Sequence, residues 1–393
     1  MRRLFKKKWF LVVFVNIILC SVLLLLPIGV ITIISAQVCR VGDANCDGVV
    51  NSADYALWKS QFVSQQLKTA DFNKDGIVNA VDFEIWRKND VSPTATTTPI
   101  ATTTPIPSPA GTGLAIIGDS ISDEYRGDDY RGGSYAKTTL SWDELLYNVR
   151  KVNLGNWIGN LPAPRRAGYE YNWAQSGADS TALDVQTAGV LTQIDSGKVG
   201  YVIMFMGAND FVPKFPFLTY GAYDDIYNGT LSGTALDTKI NTLAAKITSS
   251  VDKIKSKAHV VLVLVTDYGA IPYVISHDTD ATKRAKVTTA IGKVNSQLQS
   301  YAATNNLPVV DVNALFKQFA SQAVNGSFAY GGQQIALYPG ADEPHHAFIG
   351  DQIHPSTISQ GEIANLILDR LNAYYSFGVT KMTQAEILKA AGL

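Results

Sequence analysis

The chain has 393 residues, of which 46% are hydrophobic and 17% charged, and its formal net charge is -1. A chain of this length and apolar content can bury the cores of two or three domains. Its dense cationic cluster lies at the extreme N-terminus, in residues 2–8, so the sequence offers no basic surface for nucleic acid and we expect no nucleic-acid partner.

The N-terminal segment has the pattern of an export signal. The cationic cluster precedes an apolar stretch from Trp9 to about Ile34, and Ala36 supplies a small residue for cleavage. The apolar stretch is also long enough to span a bilayer. Residues 1–36 are therefore predicted to be a cleaved signal peptide or a retained N-terminal membrane anchor, with the membrane as a partner in the second case. Both alternatives make the rest of the chain extracellular, either secreted or anchored to the outer face of the membrane.

Two cysteines, Cys39 and Cys46, follow the export segment closely. The expected compartment permits disulfides, but the sequence leaves their pairing open. Because no cysteine follows Cys46, the main part of the chain must be held together by its core.

Two loops, residues 43–54 and 71–82, share one pattern of oxygen-bearing residues. Each has oxygen-bearing side chains at loop positions 1, 3, 5, 9 and 12, glycine at position 6 and a backbone carbonyl ligand at position 7. Hard oxygen ligands at this spacing wrap around a calcium ion, so we expect structural calcium in both loops. The predicted ligands are Asp43, Asn45, Asp47, Val49, Asn51, Asp54, Asp71, Asn73, Asp75, Ile77, Asn79 and Asp82.

Each loop leads into a short amphipathic helix, which makes two half EF-hands that end in Asp rather than Glu. Over residues 38–90 this arrangement resembles a dockerin domain. The resemblance implies a small all-α calcium-binding domain that docks onto a cohesin-type scaffold protein. At positions 10 and 11, where dockerins often carry Ser or Thr for partner contact, this chain has Ser52-Ala53 and Ala80-Val81. A calcium-stapled spacer is therefore the alternative to a cohesin-binding module.

Residues 91–112 are rich in Thr, Pro and Ala. A segment without large apolar residues at a regular period cannot build a core, so we predict an extended tether. The main domain is expected to occupy residues 113–393.

In the main domain, short apolar runs alternate with segments of helical periodicity. This alternation predicts an α/β fold with a central parallel sheet and helices on both faces. A weaker strand pattern spans Glu170 to Ala174. The predicted strands are Leu114 to Ile117, Tyr201 to Met206, Val260 to Val265 and Pro308 to Val312, and the predicted helices are Thr238 to Ile254, Ala281 to Ala302 and Gly361 to Tyr375.

Polar residues follow several of these strands, at the sheet edge where open α/β sheets bind their ligands. Ser120 follows the first strand, Asn209 follows the second, and Asp351 and His354 precede the last helix. An acyl-transfer site needs a nucleophile, a base, an acid that orients the base, and oxyanion donors, and these residue types supply each part. The alternative for Ser120 is a simple helix cap.

Four short blocks in order resemble the SGNH or GDSL family of serine hydrolases over nearly all of residues 113–375. They are Gly118-Asp119-Ser120, Gly177, Gly207-Ala208-Asn209-Asp210, and the pair Asp351 and His354. The resemblance implies a flavodoxin-like three-layer α/β/α fold and metal-free ester hydrolysis. It also implies a Ser120, His354 and Asp351 triad, with an oxyanion hole formed by the N–H groups of Ser120 and Gly177 and the Asn209 amide.

The expected function is an extracellular serine esterase that removes small acyl groups from polysaccharides, because dockerin-like modules usually accompany glycan-degrading enzymes. A lipase or general carboxylesterase is the nearest alternative, and a non-catalytic surface-anchored scaffold or adhesin component is the second. Other candidates are given structural roles: Asp267 and Asp311 as turn or cap residues, His259 as a strand residue, and His345 and His346 as parts of a surface loop.

Overall fold

The computed structural model describes residues 39–64, 68–74, 76–78, 82, 85–86, 89, 113–127, 131–161, 165–214 and 221–393. The predicted export segment and tether, and the predicted calcium ligands Asp75 and Asn79, lie outside the described residues. Contacts divide the chain into two units, residues 1–98 and 99–393. Among the described residues, no helix is both long enough and apolar enough to cross a membrane.

The first unit is built around a small apolar core. Helix α1 (Ser52–Ser64) starts inside the first predicted calcium loop, and the indole N–H of Trp86 donates to the carbonyl of Asn51 at 2.9 Å. Cys39 and Cys46 form a disulfide. The buried core residues are Ala44, Trp58, Ala70 and Val78.

The second unit alternates strands and helices. The strands are β1 (Gly113–Gly118), β2 (Trp157–Ile158), β3 (Gly168–Tyr169), β4 (Val199–Phe205), β5 (His259–Val263), β6 (Val309–Val310), β7 (Ser327–Tyr330) and β8 (Gln333–Ala336). The helices are α2 (Trp142–Arg150), α3 (Leu183–Asp195), α4 (Tyr223–Asn228), α5 (Gly233–Ile254), α6 (Pro272–His277), α7 (Ala281–Thr304), α8 (Val312–Gln322), α9 (Thr357–Tyr375) and α10 (Gln384–Ala390).

The central sheet is parallel and has the strand order β1-β4-β5-β6. Every residue of β1 and β4 is buried, which explains why these strands are continuous apolar runs in the sequence. The weaker predicted strand is present only as a parallel bridge from Asn172 to Ile116, flanked by hydrogen bonds from Ile116 N–H to Tyr171 O (3.1 Å) and from Trp173 N–H to Ile116 O (2.8 Å). This bridge gives the flavodoxin-like order, with the second segment of the chain outside the first.

Helices cover both faces of the sheet, so the unit has the predicted three layers. Along β1, Ala115 and Ile117 belong to the core under α3, α5 and α7, whereas Leu114 and Ile116 belong to the core under α2, α8 and α9. Successive side chains of β1 thus point to opposite faces of the sheet, and both faces are buried.

Helix α9 begins at Thr357, earlier than its apolar pattern predicts. Three polar side chains of its first turn are buried, and each of them bonds to the main chain of another segment. Thr357 Oγ1 donates to Thr138 O at 2.6 Å, Ser359 Oγ to Ala347 O at 2.6 Å, and Gln360 Nε2 to Ile121 O at 3.1 Å. These bonds fix the start of α9 against the loops around the C-terminal end of β1.

A cluster of buried carboxyl groups lies beneath these loops. The guanidinium of Arg165 bonds to Asp123 Oδ1 at 3.1 Å and to Glu124 Oε2. Asp143 and Glu144 are both fully buried. Burial raises the pKa of Glu124, Asp143 and Glu144, and the neighbouring charge of Glu144 raises the pKa of Asp143 further.

These raised pKa values predict that the free energy of unfolding falls with rising pH. A carboxyl group with a raised pKa in the folded state stabilises the fold fully below its ordinary pKa near 4, and this contribution is lost as pH rises toward the folded value. The Asp143→Asn variant removes one such titration, so its stability should fall less steeply between pH 5 and pH 8, by up to about 1.4 kcal/mol per pH unit. Urea unfolding at a series of pH values measures this slope.

The matched control is Asp195→Asn, at a carboxylate whose side chain is 57% exposed. It should leave the slope as in the parent chain. An Asp143→Asn variant with the parent slope would contradict the raised pKa.

Candidate active site

Strand β1 ends in a tight turn that carries Ser120. A side chain at Gly118 would place Cβ only 2.9 Å from the carbonyl oxygen of Phe205, so the turn requires glycine there. The side chain of Asp119 accepts the N–H of Ile121 at 3.0 Å and so makes the local cap-like bond. The Ser120 hydroxyl is therefore free of a capping role.

The Ser120 hydroxyl lies beside a histidine from the far end of the chain. Its Oγ is 2.7 Å from His354 Nε2, and His354 Nδ1 is 2.5 Å from Asp351 Oδ2. The N–H groups of Ile353 and His354 both donate to Asp351 Oδ1 at 2.9 Å. With Nδ1–H directed at the carboxylate, Nε2 is a hydrogen-bond acceptor that faces the Ser120 hydroxyl.

The electrostatics of the pair keep Asp351 ionised. Burial acts to raise the pKa of Asp351, but the charge of His354 and the hydrogen bonds from its side chain and backbone outweigh burial and hold this pKa well below its usual range. A carboxylate that stays charged can stabilise a protonated imidazole next to it.

The imidazole is also held by packing on the side of α9. The Tyr125 ring meets the His354 ring edge-on, with centroids 6.1 Å apart at 84°. The Tyr125 hydroxyl donates to Pro355 O at 3.2 Å and accepts from Gln360 Nε2 at 2.7 Å. The imidazole is thus fixed from the carboxylate side and the ring side.

Besides Ser120 itself, the predicted oxyanion residues are Gly177, whose loop contacts the Ser120 turn, and Asn209, whose side chain contacts the loop of Gly177. Gly177 has φ +80, and the loop that carries it is tied to the end of β1 by the Gln175 N–H, which donates to Gly118 O at 3.2 Å. After β4, Asn209 Nδ2 donates to Ala178 O at 2.9 Å. Because an amide group has two N–H donors, this bond leaves one for a ligand.

The other polar candidates have structural contacts. Asp267 accepts the N–H of Gly269 at 2.8 Å, and Asp311 caps α8. The His259 ring stacks on Tyr375 at 4.3 Å. These contacts match the structural roles predicted for the three residues.

The aromatic-rich segment after Asn209 is partly internal. Phe211 and Tyr223 are fully buried, and Tyr227 stacks on Tyr223 with ring centroids 5.8 Å apart. Other aromatic residues of this segment, Phe215, Phe217 and Tyr220, lie outside the described residues. The described aromatics therefore pack the segment onto the domain.

In the first unit, both predicted calcium loops fold alike. Asp43 Oδ2 accepts the Gly48 N–H at 2.9 Å, and Asp71 Oδ2 accepts the Gly76 N–H at 2.8 Å. Gly48 and Gly76 have φ values of +91 and +87. In both loops the position-1 carboxylate thus turns inward over the glycine, which is the geometry that a calcium loop needs.

The first loop contains buried carboxylates that a bound cation would neutralise. Asp43 is 2% exposed, yet its Oδ1 has no hydrogen-bond partner. Asp54 is fully buried, and its Oδ1 accepts the N–H groups of Ala44 and Asn45 at 2.8 and 3.1 Å. Buried carboxylates of this kind fit a bound cation. In the described part of the chain no three His, Cys, Asp or Glu side chains are grouped closely enough to hold a metal ion by themselves.

A parallel α/β sheet with a hydroxyl, an imidazole and a carboxylate in line at its C-terminal edge can carry out nucleophilic acyl transfer. The family model of GDSL-like lipases and acylhydrolases matches residues 114–367, and the chain belongs to this family of ester hydrolases. The model of type I dockerin domains, a calcium-binding class of module, matches residues 41–89.

Several solved structures resemble the chain at low identity. An acetylxylan esterase from Geobacillus stearothermophilus has 17% identity over 67% of this chain and 96% of its own, with a TM-score of 0.38. An extracellular lipase from Streptomyces rimosus has 19% identity over 67% and 100%, with a TM-score of 0.37. A psychrotrophic esterase from Pseudoalteromonas sp. has 13% identity over 67% and 99%, with a TM-score of 0.35. No curated protein matches the sequence.

The Ser120 to His354 distance predicts that Ser120 is the serine most reactive toward a fluorophosphonate. A neighbouring base accelerates attack by a hydroxyl by about 10²- to 10⁴-fold, so His354→Ala should slow labelling by that factor and Ser120→Ala should abolish it. Mass spectrometry of labelled peptides locates the adduct and gives its rate.

Ser122 is the matched control because it lies in the same turn, is fully buried, and accepts a hydrogen bond from Trp142 Nε1 at 3.1 Å. Ser122→Ala should still be labelled at Ser120. Equal labelling of the parent chain and Ser120→Ala would contradict the assignment.

Proposed function

We propose that this ester hydrolase is an extracellular serine esterase that removes small acyl groups from polysaccharides. Ser120 is the nucleophile, His354 the general base and Asp351 the group that orients it. The observation that carries this proposal is the unbroken line of hydrogen bonds from Ser120 Oγ through His354 to Asp351, at 2.7 and 2.5 Å.

In the first half-reaction, Ser120 Oγ attacks the ester carbonyl carbon while its proton passes to His354 Nε2. The negative charge of Asp351 stabilises the imidazolium that results. When the tetrahedral intermediate collapses, the bond to the alkoxy group breaks and His354 gives its proton to the departing alcohol. The products are a free hydroxyl on the substrate and an acylated Ser120.

In the second half-reaction, His354 takes a proton from water as the water oxygen attacks the acyl carbonyl carbon. The bond to Ser120 Oγ then breaks, and His354 returns the proton to that oxygen. The carboxylic acid leaves and the enzyme is restored.

In both half-reactions the carbonyl oxygen becomes an oxyanion that needs donors. We assign this role to the N–H groups of Ser120 and Gly177 and to the side-chain amide of Asn209. Loop contacts support the assignment, because Gln175 N–H bonds to Gly118 O and Asn209 Nδ2 bonds to Ala178 O. Preorganised donors of this kind stabilise developing charge without reorganising during the reaction.

The substrate class and location rest on the module and the N-terminus. We propose residues 1–36 as an export signal or anchor, 38–90 as a dockerin-like calcium domain, 91–112 as a tether and 113–393 as the hydrolase domain. The match to type I dockerins over residues 41–89 supports attachment to a cohesin-type scaffold in a glycan-degrading assembly. A lipase or general carboxylesterase is the second candidate, and family membership favours either esterase over a non-catalytic scaffold or adhesin.

The proposed function predicts release of acetate from acetylated xylan, and hydrolysis of nitrophenyl esters that is fastest for two- to four-carbon acyl groups. Asn209→Ala should lower kcat by about 10²- to 10³-fold, because it removes one oxyanion donor. Ser120→Ala should lower kcat by several orders of magnitude. Steady-state kinetics across acyl lengths measure these effects.

Thermal melts of both variants check that the fold is unchanged. A rate maximum at long acyl chains would favour the lipase instead. Equal turnover by the parent chain and Ser120→Ala would overturn the serine mechanism.

We also propose that both loops of the first unit bind calcium as a structural ion. Asp43, Asn45, Asp47, Asn51 and Asp54 would hold it in the first loop with the carbonyl of Val49. The corresponding residues of the second loop are Asp71, Asn73, Asp75, Ile77, Asn79 and Asp82. The ion would neutralise carboxylates that the fold buries.

Calcium chelation should therefore unfold the first unit at a lower temperature and leave the hydrolase domain unchanged. Differential scanning calorimetry of the full chain with calcium or with EGTA separates the two transitions, because a ligand that binds only the folded state raises its midpoint. Asp43→Ala should reduce the calcium effect. Asp184→Ala, at a surface carboxylate with an 87% exposed side chain, is the control. A calorimetric profile that is the same in EGTA would contradict the proposal.

A further inference from the structure

One buried arginine contacts three parts of the candidate active site. Arg131 is only 3% exposed. Its Nη1 donates to Ser120 O at 3.2 Å, its Nη2 donates to Ser176 Oγ at 2.9 Å, and its guanidinium carbon lies 4.8 Å from the centroid of the Tyr125 ring. No sequence motif includes Arg131.

The bond from Arg131 to Ser120 O is one of two hydrogen bonds that hold a single peptide group. The peptide group between Ser120 and Ile121 has its oxygen bonded to Arg131 and its N–H bonded to Asp119 Oδ1 at 3.0 Å. Because a peptide group is planar, fixing both ends fixes the backbone rotation at Ser120. The direction in which Ser120 presents its Cβ and its own N–H depends on that rotation.

The second bond extends to the loop of Gly177. Ser176 precedes Gly177, and its N–H donates to Asp123 Oδ2 at 2.8 Å while its hydroxyl accepts from Arg131. Ser120 and the loop of Gly177 thus share one rigid donor group. A guanidinium suits this task because its donors are planar and fixed relative to one another.

The third contact leads to the histidine. Tyr125 packs against the Arg131 guanidinium and also against the His354 ring. The cation over the Tyr125 face adds an electrostatic attraction to this packing. Arg131 therefore touches the residue that supports the base as well as the residue that carries the nucleophile.

The segment that follows Arg131 contacts the start of α9. Gly132 has φ +76, and a Cβ there would lie 2.1 Å from Thr139 Oγ1. In the same segment the carbonyl of Thr138 accepts the Thr357 hydroxyl at 2.6 Å. The segment thus joins Arg131 to the helix that follows His354.

Charge complementarity keeps Arg131 in place. Its charge acts on the carboxyl groups of Asp119 and Asp123, and in both cases it offsets part of the effect of burial. For Asp119, burial raises the pKa to about 7 despite the Ile121 N–H and the charge of Arg131. The charge of Arg131 thus acts on a carboxyl group of the Ser120 turn and on the carboxyl group that accepts the Ser176 N–H.

We propose that Arg131 is a positioning residue for ester hydrolysis, which couples the Ser120 turn, the loop of Gly177 and the support of His354 without touching substrate. The proposal rests on the serine mechanism given above. Because it acts on the geometry of attack, its loss should lower kcat and leave KM nearly unchanged. A misplacement of the reacting groups by about 1 Å typically costs about 100-fold in rate.

The experiment compares Arg131→Ala with Arg131→Lys in the full chain, using a short-chain nitrophenyl ester. Arg131→Ala should lose about 100-fold in kcat with KM within about threefold of the parent value. Arg131→Lys should recover only part of the loss, because an ammonium cannot reproduce the planar fork. Millimolar guanidinium should raise the kcat of Arg131→Ala, while the same concentration of sodium should not.

Ser176→Ala covers the case in which Arg131 variants fail to fold. It removes one hydroxyl and leaves the guanidinium in place, and it should lower kcat by about tenfold with KM unchanged. If the two residues act as one unit, combining Arg131→Ala with Ser176→Ala should cost less than the product of the separate losses. Multiplicative losses would overturn the coupling.

Arg150→Met is the matched control. Arg150 donates to the carbonyls of Thr380 and Lys381 at 2.7 Å and pairs with Glu386 at 2.7 Å, so it is also an arginine that fixes main chain, but in the C-terminal segment. It should lower the melting temperature and leave kcat and KM as in the parent chain.

The two proposals fail in different ways. If Ser120→Ala remains active, the serine mechanism fails. If Ser120→Ala is inactive while folded Arg131→Ala retains the parent kcat, or if its loss is entirely in KM, only the positioning role of Arg131 is overturned.

Discussion

Two atoms that are 234 residues apart in sequence, Ser120 Oγ and His354 Nε2, lie 2.7 Å apart in the folded chain. Much of the second unit contributes to holding these two atoms together. The parallel sheet brings the ends of β1 and β4 to one edge, and α9 carries its N-terminus to the same edge. The polar side chains in the first turn of α9 are bonded to the surrounding loops, so the position of His354 is set by the same contacts that build the domain.

The arrangement requires several carboxyl groups to be buried beneath the site. Asp119, Asp123, Glu124, Asp143 and Glu144 are all buried, and burial disfavours their charged forms. Arginines and main-chain N–H groups offset part of this cost. All five carboxyl groups lie in the segment of the chain between the end of β1 and the bridge residue Asn172. This segment also contacts the site, because Tyr125 packs edge-on against the His354 ring.

The sequence predicted the architecture well because buried parallel strands are continuous apolar runs and their helices are amphipathic. The four predicted strands are the four strands of the central sheet, and the weak strand pattern near Asn172 is present as a single bridge. The start of α9 was missed, since its polar first turn carries no apolar period. The role of Arg131 could not be found either: one arginine in a loop has no periodicity, and only its spatial neighbours give it meaning.

The sequence by itself determined which chemical groups are available to the site and in what order they occur. These groups can be identified because they lie in short motifs at the ends of predicted strands. The sequence also contains the pattern from which calcium loops are predicted, since the residues of each loop are close together in the chain. The tertiary structure alone decided that Asp119 makes the cap-like bond and that the Ser120 hydroxyl instead faces His354. Local sequence allows either side chain to cap the turn. The choice depends on a histidine that only long-range packing can bring within hydrogen-bonding distance.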